Sequence, residues 1–423
     1  MDHKTTAASE WKAYWTLVLA ASVGFSFFTI MIAASGLFFE PLSKEFGWSR
    51  TLLSSGPSIA NTLTAVLGPF FGALIDKYGS RKMVLPGTIL TTGSITLFAL
   101  ANGSEMQWIA FWAIFGIIAV TIKSTSWTAP VLGVFRHSRG LALGLTLSGT
   151  AVSQIVVGPL SNWLITDFGW RAAYVWMSLG WGGLTFLLAL LFLFDAHDTI
   201  RRKGEGQGVA AAAPAQAVVE LPGLTTQEAL RDAALWRVAI SNFIIMLMTL
   251  GLQIHMFPIL TDAGVARASA AWLLSLAGVA GIIGKLVTGA LLDRFKPNWI
   301  GGITLGAASL TFLMLMEGIA APALIVVALV VNGYAAGTKT QITAFLTASF
   351  GGMRNFGKIY GVMAGLMAAA SGIGPLIAGY VYDTFGSYGP FLAAGAIGCV
   401  IGGIIMITLP AYPAWQQTSR ATA

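Results

Sequence analysis

The sequence predicts an all-α polytopic membrane protein, with twelve transmembrane helices in two pseudo-symmetric six-helix bundles. Three observations predict it. The 423 residues are 56% hydrophobic and only 10% charged, more apolar than a soluble domain can bury. About twelve runs reach the roughly 20 apolar residues that a helix needs to cross a bilayer. Finally, the chain repeats itself: "GALID" at 72–76 returns as "GALLD" at 289–293, an offset of 293 − 76 = 217.

The runs cover 14–38, 52–75, 83–102, 107–134, 140–165, 172–194, 235–260, 269–292, 299–318, 320–349, 358–382 and 388–410. The first six form an N-terminal bundle over 14–194 and the last six a C-terminal bundle over 235–410, with tails at 1–13 and 411–423. Between the bundles, 195–234 carries "RRKGEGQGVAAAAPAQAVVELPG" and reads as a flexible linker. Its end, "TTQEALRDAALW", has Thr225 and Glu228 at capping-box spacing, which predicts a short surface helix before the seventh span. The start, "MDHKTTAASEWKAYW", is polar, so no cleavable signal peptide is expected. The single cysteine, Cys399, rules out an internal disulfide.

Other pairs obey the same offset. Pro41 and Gly47 recur as Pro258 and Gly264, Gly144 recurs as Gly361, and the FG of "DFG" at 167–169 recurs in "DTFG" at 383–386. Two parallel six-span repeats joined by a linker describe a secondary transporter working by alternating access. Placing both termini in the cytoplasm puts 17 of the 24 basic residues on that side and 4 outside, leaving three inside spans. The net charge of +7 is therefore a topology signal and not a nucleic-acid footprint. The expected location is the plasma or inner membrane.

"GALIDKYGSRK" (72–82) resembles the loop signature of the major facilitator superfamily, and "GALLDRFK" (289–296) is its degenerate second copy. "RGLALGLTLSG" (139–149), "GPLSNWLITDFGWRAAY" (158–174), "HMFPILTDAGV" (255–265) and "RNFGKIYG" (354–361) are similar to its monocarboxylate-transporter and oxalate–formate branch. The resemblance implies the major facilitator fold. It also implies a conformational latch of Asp76, Arg81, Lys82, Arg139, Asp293 and Arg294, favoured over the alternative that these residues only mark topology. Gly–Pro at 158–159 and 374–375 reads as helix packing more than substrate contact.

Three lysines remain inside the membrane: Lys123 in span four, Lys285 in span eight and Lys339 in span ten. All 17 acidic residues can be placed in loops, termini or helix ends, so none neighbours them at mid-depth. Lys285 lies eight residues inside Asp293, about 12 Å at 1.5 Å per residue. The resemblance puts spans one, four, seven and ten around the central cavity, with Lys123 and Lys339 at nearly equivalent repeat positions (339 − 123 = 216). It also matches Lys285 to a substrate-binding arginine of that branch, here replaced by a point charge without the bidentate fork.

An uncompensated charge in hydrocarbon costs at least about 2.5–3.5 kcal/mol, which an anionic ligand would offset. The bland alternatives are a lysine kept neutral by desolvation, or one reaching a carbonyl or the interface. Around the lysines, the expected substrate wall comprises Trp127, Gln253, His255, Phe28 and Asn332, with Phe25 and Met31 on span one. His255 stays open as a proton site, a ligand donor or a structural residue.

No nucleophile–base pair, metal cluster or phosphate loop is present in the sequence, so neither an enzyme nor a cofactor is expected. The reading is a monomeric, proton-coupled importer of an aromatic acid or small mono- or dicarboxylate. An anion exchanger of the oxalate–formate type is the alternative. A drug/proton antiporter would want a buried carboxylate. Coupling is expected through the lysines and not His255: Gly281 occupies the position where related monocarboxylate transporters carry a proton-accepting Asp.

Overall fold

A computed structural model describes residues 7–135, 137–194, 223–316, 321–352 and 354–413, without the side chains of 73, 76, 139, 140, 293 and 357. The glycine- and alanine-rich part of the predicted linker, residues 1–6 of the first tail and most of the second tail lie outside these residues. The described residues of every predicted span are mostly helical. Among the described residues, nine helical stretches are long and apolar enough to cross a membrane. One of them, Leu141–Phe192, carries the fifth and sixth spans together.

Contacts divide the chain into two units, Met1–Trp48 with Ser55–Ala212, and Ser49–Ser54 with Ala213–Ala423. The six residues Ser49–Ser54 cluster with the second unit.

The first unit contains α1 (Ala7–Phe46), most of α2 (Arg50–Tyr78), α3 (Ser80–Thr96), α4 (Glu105–Ala119), α5 (Ser124–Val134), α6 (Arg139–Leu147) and α7 (Gly149–Phe192). Helix α1 already starts within the predicted tail and packs along α7, as does α3. Aromatic rings fill the space between them: Phe38 stacks on Tyr174 at 4.0 Å, and Phe98 meets Trp108, Trp112 and Tyr174. Ser104 starts α4 by accepting the Gln107 N–H.

The second unit contains α8 (Thr226–Ala229), α9 (Ala233–Asp262), α10 (Arg267–Arg294), α11 (Pro297–Gly306), α12 (Ala308–Met314), α13 (Pro322–Gly351), α14 (Phe356–Phe385) and α15 (Gly389–Ile407). Span nine is divided between α11 and α12. Helix α10 packs on α13, and α9 on α14 and α15. At the α9–α14 crossing Gly374 has no room for a Cβ, which would overlap the Leu247 carbonyl, so "GPL" here serves packing.

The predicted capping box forms. Thr225 accepts the Glu228 N–H, and the Glu228 carboxylate accepts the Thr225 N–H at 2.8 Å. Two hydrogen bonds to one exposed carboxylate hold the Glu228 pKa below its ordinary value, the Thr225 backbone N–H contributing most.

The repeat is visible in backbone conformation. Gly47 and Gly264 (φ 69° and 84°) close the first helices of the two halves, and Gly169 and Gly386 (φ 80° and 67°) close the fifth and eleventh spans. Only glycine takes these left-handed values without strain, which is why both pairs return at the 217-residue offset.

Candidate functional site

Span four is not one helix. Helix α4 ends at Ala119, a single 3₁₀ turn covers Val120–Ile122, and α5 begins at Ser124. Between them Lys123 is extended (φ −66°, ψ 169°). The local sequence explains the break. Val120, Thr121 and Ile122 are β-branched, and Ser124, Thr125 and Ser126 offer hydroxyls that compete for backbone groups.

The carbonyls released at the break are taken up locally. Ser126 donates its hydroxyl to the Thr121 carbonyl at 2.7 Å, and Trp127 donates its indole N–H to the Ile122 carbonyl at 2.8 Å. The Lys123 ammonium itself donates to the Thr64 carbonyl of α2 at 3.0 Å. It rests over Gly68, where a Cβ would stand 3.1 Å from Nζ.

Lys339 has a different setting. It sits inside the unbroken α13 and is only 4% exposed. Its ammonium donates to the Thr249 hydroxyl of α9, which gives its own hydrogen to the Ile245 carbonyl at 2.6 Å. The buried Cys399 thiol of α15 is an electrostatic neighbour.

Lys285 lies on α10, half-buried, with no hydrogen bond or ion pair among the described residues. The α10–α13 crossing sets its depth. Gly281 meets Gly337 and Gly289 meets Gln341, so the pairs bracket both lysines at about one level. The Lys339 side chain turns into the unit toward Thr249 of α9. No acidic side chain pairs with any of the three lysines among the described residues.

The other expected wall residues separate. Trp127 is fully buried, its ring seated where a Cβ on Gly24 would be, so it packs against α1 instead of presenting a free face. Phe28 is half-buried and stacks on Phe25 at 6.1 Å, with 8° between the ring planes, while Met31 is core. Gln253 is half-buried and Asn332 is 7% exposed; neither makes a hydrogen bond among the described residues.

His255 is fully buried in a circuit that sequence reasoning missed. Arg50 forks onto Asp262 at 2.7 and 3.0 Å and donates to the Tyr388 hydroxyl at 2.8 Å. Its guanidinium lies 3.6 Å from the Tyr382 ring centroid. The Tyr388 hydrogen is then free for His255 Nδ1 at 2.7 Å. Ser54 gives its hydrogen to the Arg50 carbonyl at 2.6 Å, and so accepts from His255 Nε2 at 2.7 Å. Pro375 offers a second acceptor to that nitrogen at 3.0 Å. Asp383 caps the same turn, accepting the Arg50 N–H at 2.9 Å and the Thr51 N–H at 2.7 Å. The partners enforce the neutral tautomer with hydrogen on Nε2.

Of the expected latch, Arg81 donates to the Leu190 carbonyl at 2.8 Å and lies over the Phe194 ring. Lys82 and Arg294 are exposed. The side chains of Asp76, Arg139 and Asp293 lie outside the described residues.

Comparison with known proteins fits a transporter. The chain is 26% identical to Monocarboxylate transporter 13 of Bos taurus over 94% of its length and 89% of the relative's. It is 25% identical to Monocarboxylate transporter 3 of Rattus norvegicus, over 88% and 75% respectively. These relatives are transporters, not enzymes. A crystal structure of a bacterial homolog of the human lysosomal transporter Spinster, inward-facing and unoccupied, has the same fold. Its TM-score is 0.65 at 14% identity, covering 96% of this chain and 95% of that one. The family model for the Major Facilitator Superfamily matches residues 16–316 and 239–423. With helices, repeat and family model in agreement, the chain is a multi-pass membrane protein that belongs to the Major Facilitator Superfamily.

Proposed function

We propose that this transporter moves a small organic carboxylate across the membrane by alternating access, coupled to protons. One observation carries the reading: three lysines sit in apolar spans without an acidic partner among the described residues, each held by a neutral group or by none. Cations so placed attract an anion, and a carboxylate accepting one charge-assisted hydrogen bond gains roughly 1.5–3 kcal/mol. The named relatives, monocarboxylate transporters, support the same substrate class.

The hydrogen-bond circuit of His255 favours a structural role for that residue, since both ring nitrogens are engaged. Proton uptake then falls to the lysines or to the substrate itself, and anion entry would draw a proton in by linkage. Both termini face the cytoplasm in this reading, which the distribution of basic residues supports.

Uptake into proteoliposomes, across lactate, benzoate and oxalate with and without a proton gradient, tests the proposal. Lys123→Gln, Lys285→Gln and Lys339→Gln each raise KM about ten- to a hundredfold while membrane insertion persists. Three variants that all transport like the parent would refute the anion site. Transport only against a counter-anion, insensitive to the gradient, would make the protein an exchanger.

A further inference from the structure

Span four pays for its break with an elaborate repair. Interrupting a helix in an apolar environment leaves carbonyls that must find donors or destabilise the fold. Here two consecutive carbonyls, of Thr121 and Ile122, are satisfied by the hydroxyl of Ser126 and the indole of Trp127. Both donors come from the first turn of α5, the segment on the other side of the break. Ser126 and Trp127 are themselves fully buried, so neither can meet a ligand directly. Between the two repaired ends lies Lys123, the one residue in extended conformation.

That conformation takes the lysine side chain off the helical screw and toward α2, where it ends on the Thr64 carbonyl. Its resting place is a notch made by Gly68. Among the described residues, and setting aside α2's own backbone, the ammonium is the one group within 4 Å of the position a Gly68 Cβ would occupy. A carbonyl is a weak substitute for a carboxylate, and two of the three ammonium hydrogens have no acceptor among the described residues.

We propose that Ser126 and Trp127 are positioning residues for Lys123. By capping the carbonyls freed at the break, they hold its backbone extended and park its ammonium in the Gly68 notch, where an incoming carboxylate replaces the Thr64 carbonyl. The last step rests on the carboxylate reading; the positioning does not.

The test uses two readouts. The first is uptake of whichever of lactate, benzoate or oxalate is moved fastest. Trp127→Phe keeps the ring and removes the donor; Ser126→Ala removes the other, and Ser126→Thr restores it. Each loss raises KM about three- to tenfold with maximal rate within about twofold, as for one lost hydrogen bond, and Ser126→Thr recovers the parental KM. In a Lys123→Gln background the same substitutions add nothing, because the group they position is gone. Effects that persist there would reduce both residues to structural ones and overturn the proposal.

The second readout needs no substrate. In a Cys399→Ser, Lys123→Cys protein, a soluble maleimide labels position 123, and adding Trp127→Phe changes the labelling rate at least about threefold. An unchanged rate overturns the positioning whatever transport shows. If Lys123→Gln alone leaves KM untouched, the carboxylate reading fails at this lysine while the labelling rate still judges the positioning.

Discussion

Lys123 and Lys339 occupy nearly the same place in the two sequence repeats, yet their surroundings differ in kind. Lys123 stands at a break, half-exposed, with its ammonium on a backbone carbonyl. Lys339 stands within an unbroken 30-residue helix, 4% exposed, with its ammonium on a threonine hydroxyl. The difference shows that duplication preserved the charge and not the device that holds it. Span four supplies extended backbone and side-chain caps. Span ten supplies continuity, secured by glycines against α10: a Cβ on Gly333 or Gly337 would overlap the carbonyl of Ala277 or Gly281. One lysine is placed by a gap in secondary structure, the other by close helix packing.

The largest expected effect follows from that packing. Gly337→Leu, two residues before Lys339, forces α13 off α10 and lowers stability by about 3 kcal/mol, at the upper end for overpacking, because backbone and not a flexible side chain blocks the site. Thermal unfolding in detergent measures it. A variant as stable as the parent would break the contrast, since span ten would then tolerate displacement as span four tolerates a break.

A smaller effect is expected at the partner of Lys339. Thr249→Val keeps the shape, removes the hydroxyl and costs about 1 kcal/mol. In a Lys339→Met background the cost should shrink, because the donor has gone; a double-mutant cycle reads the coupling directly. Full additivity would mean that Thr249 serves only its own helix through the Ile245 carbonyl.

The smallest effect lies away from both lysines, at α8. The Glu228 pKa is lowered in the folded state, so its contribution is complete above the ordinary value of 4.5 and is lost as the pH falls through the lowered one. Protection factors of the α8 amides, taken against the intrinsic exchange rate at each pH, should therefore fall on acidification, and Glu228→Gln should remove that dependence. The hydrogen bonds of Lys123 and Lys339 should not change over the same range. Acid sensitivity that survives in Glu228→Gln would place its source elsewhere.

Much of this was legible in the chain. The spans follow from apolar run length, the capping box from Thr225 and Glu228, and the left-handed glycines from the spacing of the repeat. The three lysines were legible because a charge inside an apolar run stands out. Their settings were not. Hydropathy runs smoothly through "GIIAVTIKSTSWTAPV", so nothing in an apolar count reveals the break at Lys123, although its Ser–Thr–Ser run was a usable warning. Trp127 falls four residues after Lys123, which on a continuous helix would share a face; the break cancels that inference. The Arg50 circuit joins residues up to 338 positions apart, and Arg50 by itself reads as one more basic residue near a helix start.

The sequence by itself determined the class, the spans, the duplication and the presence of cations in an apolar core. These depend on composition and on spacing along one chain, which bilayer thickness and helix rise convert into structure. Only the tertiary structure decided what each lysine touches, that Trp127 caps a backbone and that His255 closes a ring with Arg50. The lysine and histidine outcomes depend on which carbonyl or hydroxyl arrives from another helix, and the Trp127 cap on a break that only the folded backbone reveals. Most donors buried away from water take a partner within about 3 Å, wherever in the sequence that partner lies.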